Sequence, residues 1–296
     1  ENTIIGRFLG FPEPKPKDDE TALPSPPKEP IETTTPIEPK LVQLTDFPVS
    51  SISLNKKEDR VIFYKKDGGN MFSYDLSGKT KDKLSNLTII GIFDVQWNTS
   101  QNRRVVSYLD QDTIKSFVHI ATSAVALLPQ QIRSPVWSPD EKSLAYLTDT
   151  NARLNLIIAD IAGKNQKNVY TTPIRDPHIQ WITSDRIIFE TAPSGLVESF
   201  IFVFSRSRES FDTVMTGFGL TTKWSPDGAF ALGSQTNGRG KKPILLVYDT
   251  AGNKRFDTNL ATISEKCTWV GAKKAYCAVP RDIQSNAVWP DDYLRG

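Results

Sequence analysis

Trp224-Ser225-Pro226-Asp227-Gly228, followed by Ala229-Phe230-Ala231-Leu232, decides the fold. It reads as a strand ending in tryptophan, a tight turn and a second strand. Proline suits position i+1 of a type I turn, serine and aspartate are turn formers, and glycine takes a positive φ at low cost. A near copy lies upstream at Trp137-Ser138-Pro139-Asp140-Glu141-Lys142, followed by Leu144-Ala145-Tyr146.

Working outward, the tryptophan recurs at Trp97, Trp137, Trp181, Trp224 and Trp269, with spacings of 40, 44, 43 and 45 residues. Leu54 holds the corresponding place 43 residues before Trp97. After each anchor a polar turn leads to an apolar strand, as in Val61-Ile62-Phe63-Tyr64 and Ile187-Ile188-Phe189. A third strand follows in most copies, for example Leu154-Asn155-Leu156-Ile157-Ile158 and Ile244-Leu245-Leu246-Val247-Tyr248. Several of these end in Asp-x-x-Gly (Asp75 to Gly78, Asp160 to Gly163, Asp249 to Gly252), which suits a hairpin turn. A weaker fourth strand leads back to the next anchor. Four strands per 40 to 45 residues predicts an all-β chain, a β-propeller whose blades bury their faces against one another with the tryptophans between them.

The motif Trp-Ser-Pro-Asp-Gly-x-x-Leu-Ala-Tyr resembles the WD40-like (PD40) repeat of TolB-type propellers. Trp224 to Gly228 and Trp137 to Asp140 match it closely, while the copies at Trp97, Trp181 and Trp269 keep the tryptophan and lose most of the turn. The resemblance covers about residues 41–280. It implies an extracytoplasmic or membrane-associated propeller in many bacterial cases. It does not imply one activity, because the repeat occurs both in interaction scaffolds and in the non-catalytic domain of prolyl-oligopeptidase-type enzymes.

Residues 1–40 read as a proline-rich disordered linker or stalk, and residues 41–296 as the propeller. Prolines recur from Pro12 to Pro39 among charged and hydroxyl residues, a composition that buries too little apolar surface to offset its ordering entropy. Ile4 to Phe11 is a short apolar patch, either the remnant of a juxtamembrane segment or a stray stretch in a tail. The chain opens on Glu1, so a removed signal peptide or an upstream membrane anchor is an expectation. Six anchors favour six blades, with seven as the alternative. Leu41-Val42-Gln43-Leu44-Thr45 reads as the outermost strand of the blade that closes the ring, with a weak further strand around Ala287-Val288-Trp289. The C-terminal side of the ring is expected to be incomplete.

Composition narrows function by exclusion. A net charge of +2 argues against a nucleic-acid surface. Two cysteines and two histidines give metal chemistry little to work with, and no cofactor motif is present. No Gly-x-Ser-x-Gly elbow occurs, so no catalytic residue is assigned. Cys267 lies two residues before Trp269 and Cys277 eight after it, which sets them across one hairpin and predicts a disulfide suited to an oxidising compartment; the alternative is a pair of buried thiols. Asp94 and His178 each lie three residues before an anchor, near the start of the innermost strand. Both are candidates to meet a ligand at the channel mouth, and the plainer reading is a solvated or locally bonded loop residue. The Asp-x-x-Gly turns lie on different blades and are read as turns rather than calcium sites. Asn86-Leu87-Thr88 and Asn98-Thr99-Ser100 fit the glycosylation sequon.

The resulting expectation is a non-catalytic extracytoplasmic propeller that acts, as a monomer, as a scaffold for a protein or cell-envelope glycan. The alternatives are the propeller domain of a prolyl-oligopeptidase-type hydrolase whose catalytic domain lies outside this chain, and an enzyme with its site at the channel mouth.

Overall fold

The computed structural model describes residues 5–10, 43–120, 124–150, 153–282 and 284–295. Of the disordered linker expected over residues 1–40, residues 1–4 and 11–40 lie outside them, and residues 5–10 form a strand instead. In chain order, β1 (Ile5–Gly10) is followed by a four-stranded sheet of β2 (Val49–Leu54), β3 (Arg60–Lys65), β4 (Met71–Asp75) and β5 (Lys81–Lys83). A second sheet contains β6 (Ile92–Trp97), β7 (Arg103–Asp110), β8 (Thr113–Ile120) and β9 (Ala124–Leu127), and a third β10 (Arg133–Trp137), β11 (Ser143–Thr150), β12 (Arg153–Asp160) and β13 (Lys167–Thr172). A seven-stranded sheet runs through β14 (His178–Trp181), β15 (Arg186–Glu190), β16 (Glu198–Ser205), β17 (Ser210–Trp224), β18 (Phe230–Thr236), β19 (Ile244–Asp249) and β20 (Lys254–Leu260). It consists of two four-stranded units sharing β17, which pairs with β16 up to Phe218 and with β18 from there to Trp224. The last sheet joins β21 (Cys267–Trp269), β22 (Lys274–Val279) and β1. A short helix, α1 (Asp291–Arg295), follows.

Each of the six anchors ends the first strand of a unit: Leu54 ends β2, Trp97 β6, Trp137 β10, Trp181 β14, Trp224 β17 and Trp269 β21. The indoles reach across to the preceding unit. Trp97 Nε1 donates to Ser51 O (3.2 Å), Trp137 Nε1 to Gln96 O (2.9 Å) and Trp269 Nε1 to Lys223 O (2.9 Å). Around them lie five apolar clusters, each spanning two successive units; one groups Trp224 with Ile182, Ile188 and Ile201 of the unit before it. Leu54 is 39% exposed, so the first unit lacks this wedge.

The turn after the anchor is a small hydrogen-bonded device. Ser225 Oγ donates to Asp227 Oδ1 (2.6 Å) and accepts from Phe230 N (3.0 Å), while Gly228, at φ +67°, donates its N–H to Ser225 O (2.8 Å). Ser138 and Asp140 repeat these contacts at 2.6 Å and 2.9 Å. The copies that looked degenerate keep the same geometry with asparagine in the serine's place: Asn55 Oδ1 accepts from Arg60 N (3.1 Å) and Asn98 Oδ1 from Arg103 N (2.8 Å). Asn98 is 2% exposed and its amide is bound to Asn102 and Glu141, so this sequon asparagine is architectural.

Closure differs from expectation. Of the stretch expected to supply the closing strand, Gln43 to Thr45 is not strand, and residues 41–42 lie outside the described residues. Phe47 instead lays its ring on Phe63 and Phe72 of the first unit, at 6.3 and 6.0 Å. The added strand is β1, from the apolar patch placed in the tail. It pairs antiparallel with β22 from Ile5↔Val279 to Gly10↔Lys274. Ala287 to Trp289 is likewise not strand, because its backbone bonds go to a loop and to α1 rather than to a sheet edge. Among the described residues the sixth unit has three strands, one fewer than its neighbours. Cys267 and Cys277 are register partners in it, with Cα atoms 4.0 Å apart, and are joined by a disulfide.

Candidate functional site at the channel mouth

The first strands of the units stand side by side, β6 next to both β2 and β10, and β14 next to β10, and so line an axial channel. The turn end of the channel holds a cleft of about 340 Å³ walled by Trp97, Trp137, Trp181 and Trp224 with Pro139 and Pro226. The opposite end, where these strands begin, holds a cavity of about 270 Å³. Its lining includes His178, Glu190, Thr221 and Glu265, with Leu220 and Leu294 as apolar walls. A larger cleft of about 590 Å³ sits between the outer strands of the third and fourth units. Its Asp160 is already committed to the turn, accepting from Ala162 N and Lys164 N.

At the strand-start end the backbone is irregular, and that irregularity aims side chains. The register of β10 against β11 slips between Arg133 and Val136, and Ser134 takes φ +46°. Such a bulge redirects a side chain. Ser134 Oγ accepts from Ile179 N (2.8 Å) and lies 3.1 Å from His178 Nδ1, which ties the third unit to the fourth. His178 is open to water at the mouth yet surrounded by protein. Desolvation therefore lowers its pKa, while the negative charge of Asp94 works the other way. Asp94 itself accepts two bonds from Gln96 Nε2, at 3.0 and 3.2 Å. Both residues picked from the sequence thus stand near the strand-start end, within electrostatic reach of one another, and both have local hydrogen-bond partners.

The sequence reading missed the carboxylates beside them. Glu190 is the register partner of His178 across the β14–β15 hairpin. Its Oε1 accepts from Gln180 Nε2 (2.9 Å) and from the Thr222 hydroxyl. Burial pushes the Glu190 carboxyl up to about 8; the Thr222 and Gln180 bonds pull it down, and the charge of Glu265 pushes it further up. Glu265, from the turn before β21, accepts from Thr221 Oγ1 (2.8 Å) and Ser264 Oγ (3.3 Å). The available signal was register: in a hairpin anchored at Trp181, the residue opposite His178 is fixed by counting. Among the described residues no group of three or more His, Cys, Asp or Glu side chains is arranged to hold a metal ion.

Chemically, the mouth gathers an imidazole whose basicity is lowered by burial, a carboxyl pushed up to about 8, a second carboxyl group and several hydroxyls. The arrangement offers hydrogen bonds and negative charge to a ligand. Sheets of this order, with a tryptophan wedge at the end of the first strand in every unit after the first, define a β-propeller. Its likenesses among solved structures include TolB from Acinetobacter baumannii (TM-score 0.51, 11% identity, 78% of this chain and 57% of that one). They also include oligogalacturonate lyase from Vibrio parahaemolyticus (TM-score 0.56, 14% identity, 74% of this chain and 69% of that one). A third is the β-propeller domain of the Trilobed protease from Pyrococcus furiosus (TM-score 0.51, 13% identity, 68% of each chain). The fold is that of a TolB-like PD40 propeller. The chain spans 57% of the length of the TolB it matches. No family model and no curated protein matches the sequence, and at these identities the likeness is one of fold. No helix among the described residues is long and apolar enough to cross a membrane.

Proposed function

We propose that this chain is a non-catalytic binding propeller of an extracytoplasmic compartment, which holds a protein partner or a glycan at the strand-start face of its channel. The observation that carries the reading is the convergence at that mouth of polar side chains from successive units, His178 and Glu190 from the fourth, Thr221 from the fifth and Glu265 from the turn leading into the sixth. The disulfide supports the compartment, since such bonds persist where the environment is oxidising. The reading is tested by placing a photo-crosslinking residue at position 178 or 265 and, as a control, at the rim position 83, then irradiating intact cells of the source organism. A discrete adduct from the mouth positions but not from the rim supports it. Adducts from the rim alone, or turnover of a small substrate by the purified chain, overturn it.

A second reading is the propeller domain of a hydrolase. It is favoured by the likeness to the propeller domain of the Trilobed protease. An α/β-hydrolase pattern in the same reading frame decides for it, and a frame without one decides against it.

A further inference from the structure

Residues 284–295 neither extend a sheet nor trail into solvent. They lie in a cleft between two loops, residues 191–197 of the fourth unit and 237–243 of the fifth. Gly240 O accepts from Trp289 N (2.8 Å). Lys241 Nζ donates to Ser285 O (3.0 Å) and Ala287 O (2.6 Å), and Gly195 N donates to Asp291 Oδ2 (2.8 Å). The Trp289 side chain is 3% exposed. The loops are shaped for this occupant. A Cβ on Gly195 would stand 2.1 Å from Trp289 O, and one on Gly240 would stand 2.6 Å from Val288 Cγ1. Either is a collision, so a side chain at these two positions would deny the segment its seat.

The chemistry of the seat is transferable. Three of the four hydrogen bonds go to the main chain of the occupant, which a peptide of any sequence supplies when it takes the same turned path. Two side chains are held most closely: the enclosed aromatic group at position 289 and the hydrogen-bonded carboxylate at position 291. Exposed Arg239 and Lys242 flank the cleft, and Lys266 Nζ stands 5.2 Å over the Tyr293 ring, so the surroundings favour an acidic segment. The present occupant leaves one cost unpaid, since the buried Trp289 Nε1 has no partner among the described residues. An unmet buried donor weakens a contact, and a competitor that satisfies it gains.

We infer that the cleft between these loops is a peptide-recognition site, filled here in cis by Ser285 to Asp291. In trans it is open to a turn-forming segment of a partner protein with an aromatic residue and a carboxylate two positions on. The own segment is then an autoinhibitory contact. This inference rests on the protein-binding reading above and commits it to one class of partner.

The test uses the full chain and a fluorescent peptide of the sequence Ser285 to Tyr293. Trp289→Ala vacates the aromatic pocket while leaving the chain intact, and that variant is expected to bind the peptide at least tenfold more tightly than the native chain. A peptide with alanine in place of its tryptophan should bind neither, and adding Lys241→Met to the variant should remove binding. Equal binding by native and variant chains, or equal binding of the two peptides, overturns the inference. Circular dichroism checks the fold. If Trp289→Ala does not fold, Asp291→Ala, which removes the acceptor of the Gly195 N–H, should raise peptide affinity several-fold over the native chain, and no rise overturns the inference equally. Crosslinking at position 178 reads the adjoining cavity, whose lining takes in Leu294 but neither Trp289 nor Asp291, so a failed peptide titration leaves that result standing.

Discussion

Tyr146 shows what a single residue costs in this core. It is wholly enclosed, and its hydroxyl has no partner among the described residues, so burial pushes its pKa up to about 12. Tyr146→Phe removes an unsatisfied buried hydroxyl and keeps the ring. It should raise stability by about 1 kcal/mol in urea unfolding; a loss of that size would mean the hydroxyl is bonded after all. Glu190 makes a prediction about pH. Its folded pKa of about 8 lies above the ordinary glutamate value of 4.5, so between these values the folded state holds a proton that the unfolded state has released. Stability contributed by this group is therefore full below pH 4.5 and is lost as pH rises towards 8, at no more than about 1.4 kcal/mol per pH unit. Glu190→Gln keeps an acceptor for Thr222 and removes the titration. The variant should match the native chain near pH 5 and melt at higher temperature near pH 8. If the native chain keeps its advantage at pH 8, Glu190 is ionised and compensated there. Asp94 and His178 were legible in the sequence because each is offset by three from an anchor. Glu190 and Glu265 were not, since one ends an apolar run and the other precedes a cysteine, and only register or folding brings them to the same mouth.

At the scale of elements, the tryptophan spacing and the strand that follows each anchor were readable because the fold repeats one local solution. The turns were less so. Asn55 and Asn98 replace serine, and an amide oxygen accepts the same backbone N–H two to three residues beyond the turn, so chemistry persists where the letters change. Trp224, 6% exposed, is the wedge between the fourth and fifth units, and Trp224→Ala should cost about 3–5 kcal/mol in chemical denaturation. Unchanged stability with lost binding would place the site in the repeat itself. The disulfide acts on the shortest unit. Its two strands have three register pairs, Cys267↔Cys277, Thr268↔Tyr276 and Trp269↔Ala275. So small a hairpin gains much of its order from the crosslink and from β1. Replacing both cysteines by alanine should lower stability by about 2–4 kcal/mol, and added reductant should shift the urea midpoint of the native chain but not of the variant.

Across the whole molecule, the decisive contact joins the two ends of the chain. Apolar content alone does not say whether Ile4 to Phe11 packs, anchors or trails. The outcome depends on a partner edge more than 260 residues away, which no local pattern records. β1 supplies that contact with six register pairs to β22. At about 1 kcal/mol net for each hydrogen bond formed, the ladder stabilises the last unit by roughly 3 kcal/mol or more. Deleting residues 1–10 should therefore act first on Lys274–Val279. Their amides should lose hydrogen-exchange protection by about two orders of magnitude, the equivalent of close to 3 kcal/mol of opening free energy. Amides of β11 and β12, three units away, should keep theirs. A uniform loss would mean that the ring unfolds as one cooperative body. Unchanged protection in β22 would mean that β1 does not hold the edge in solution, and that the last unit stands on its disulfide alone.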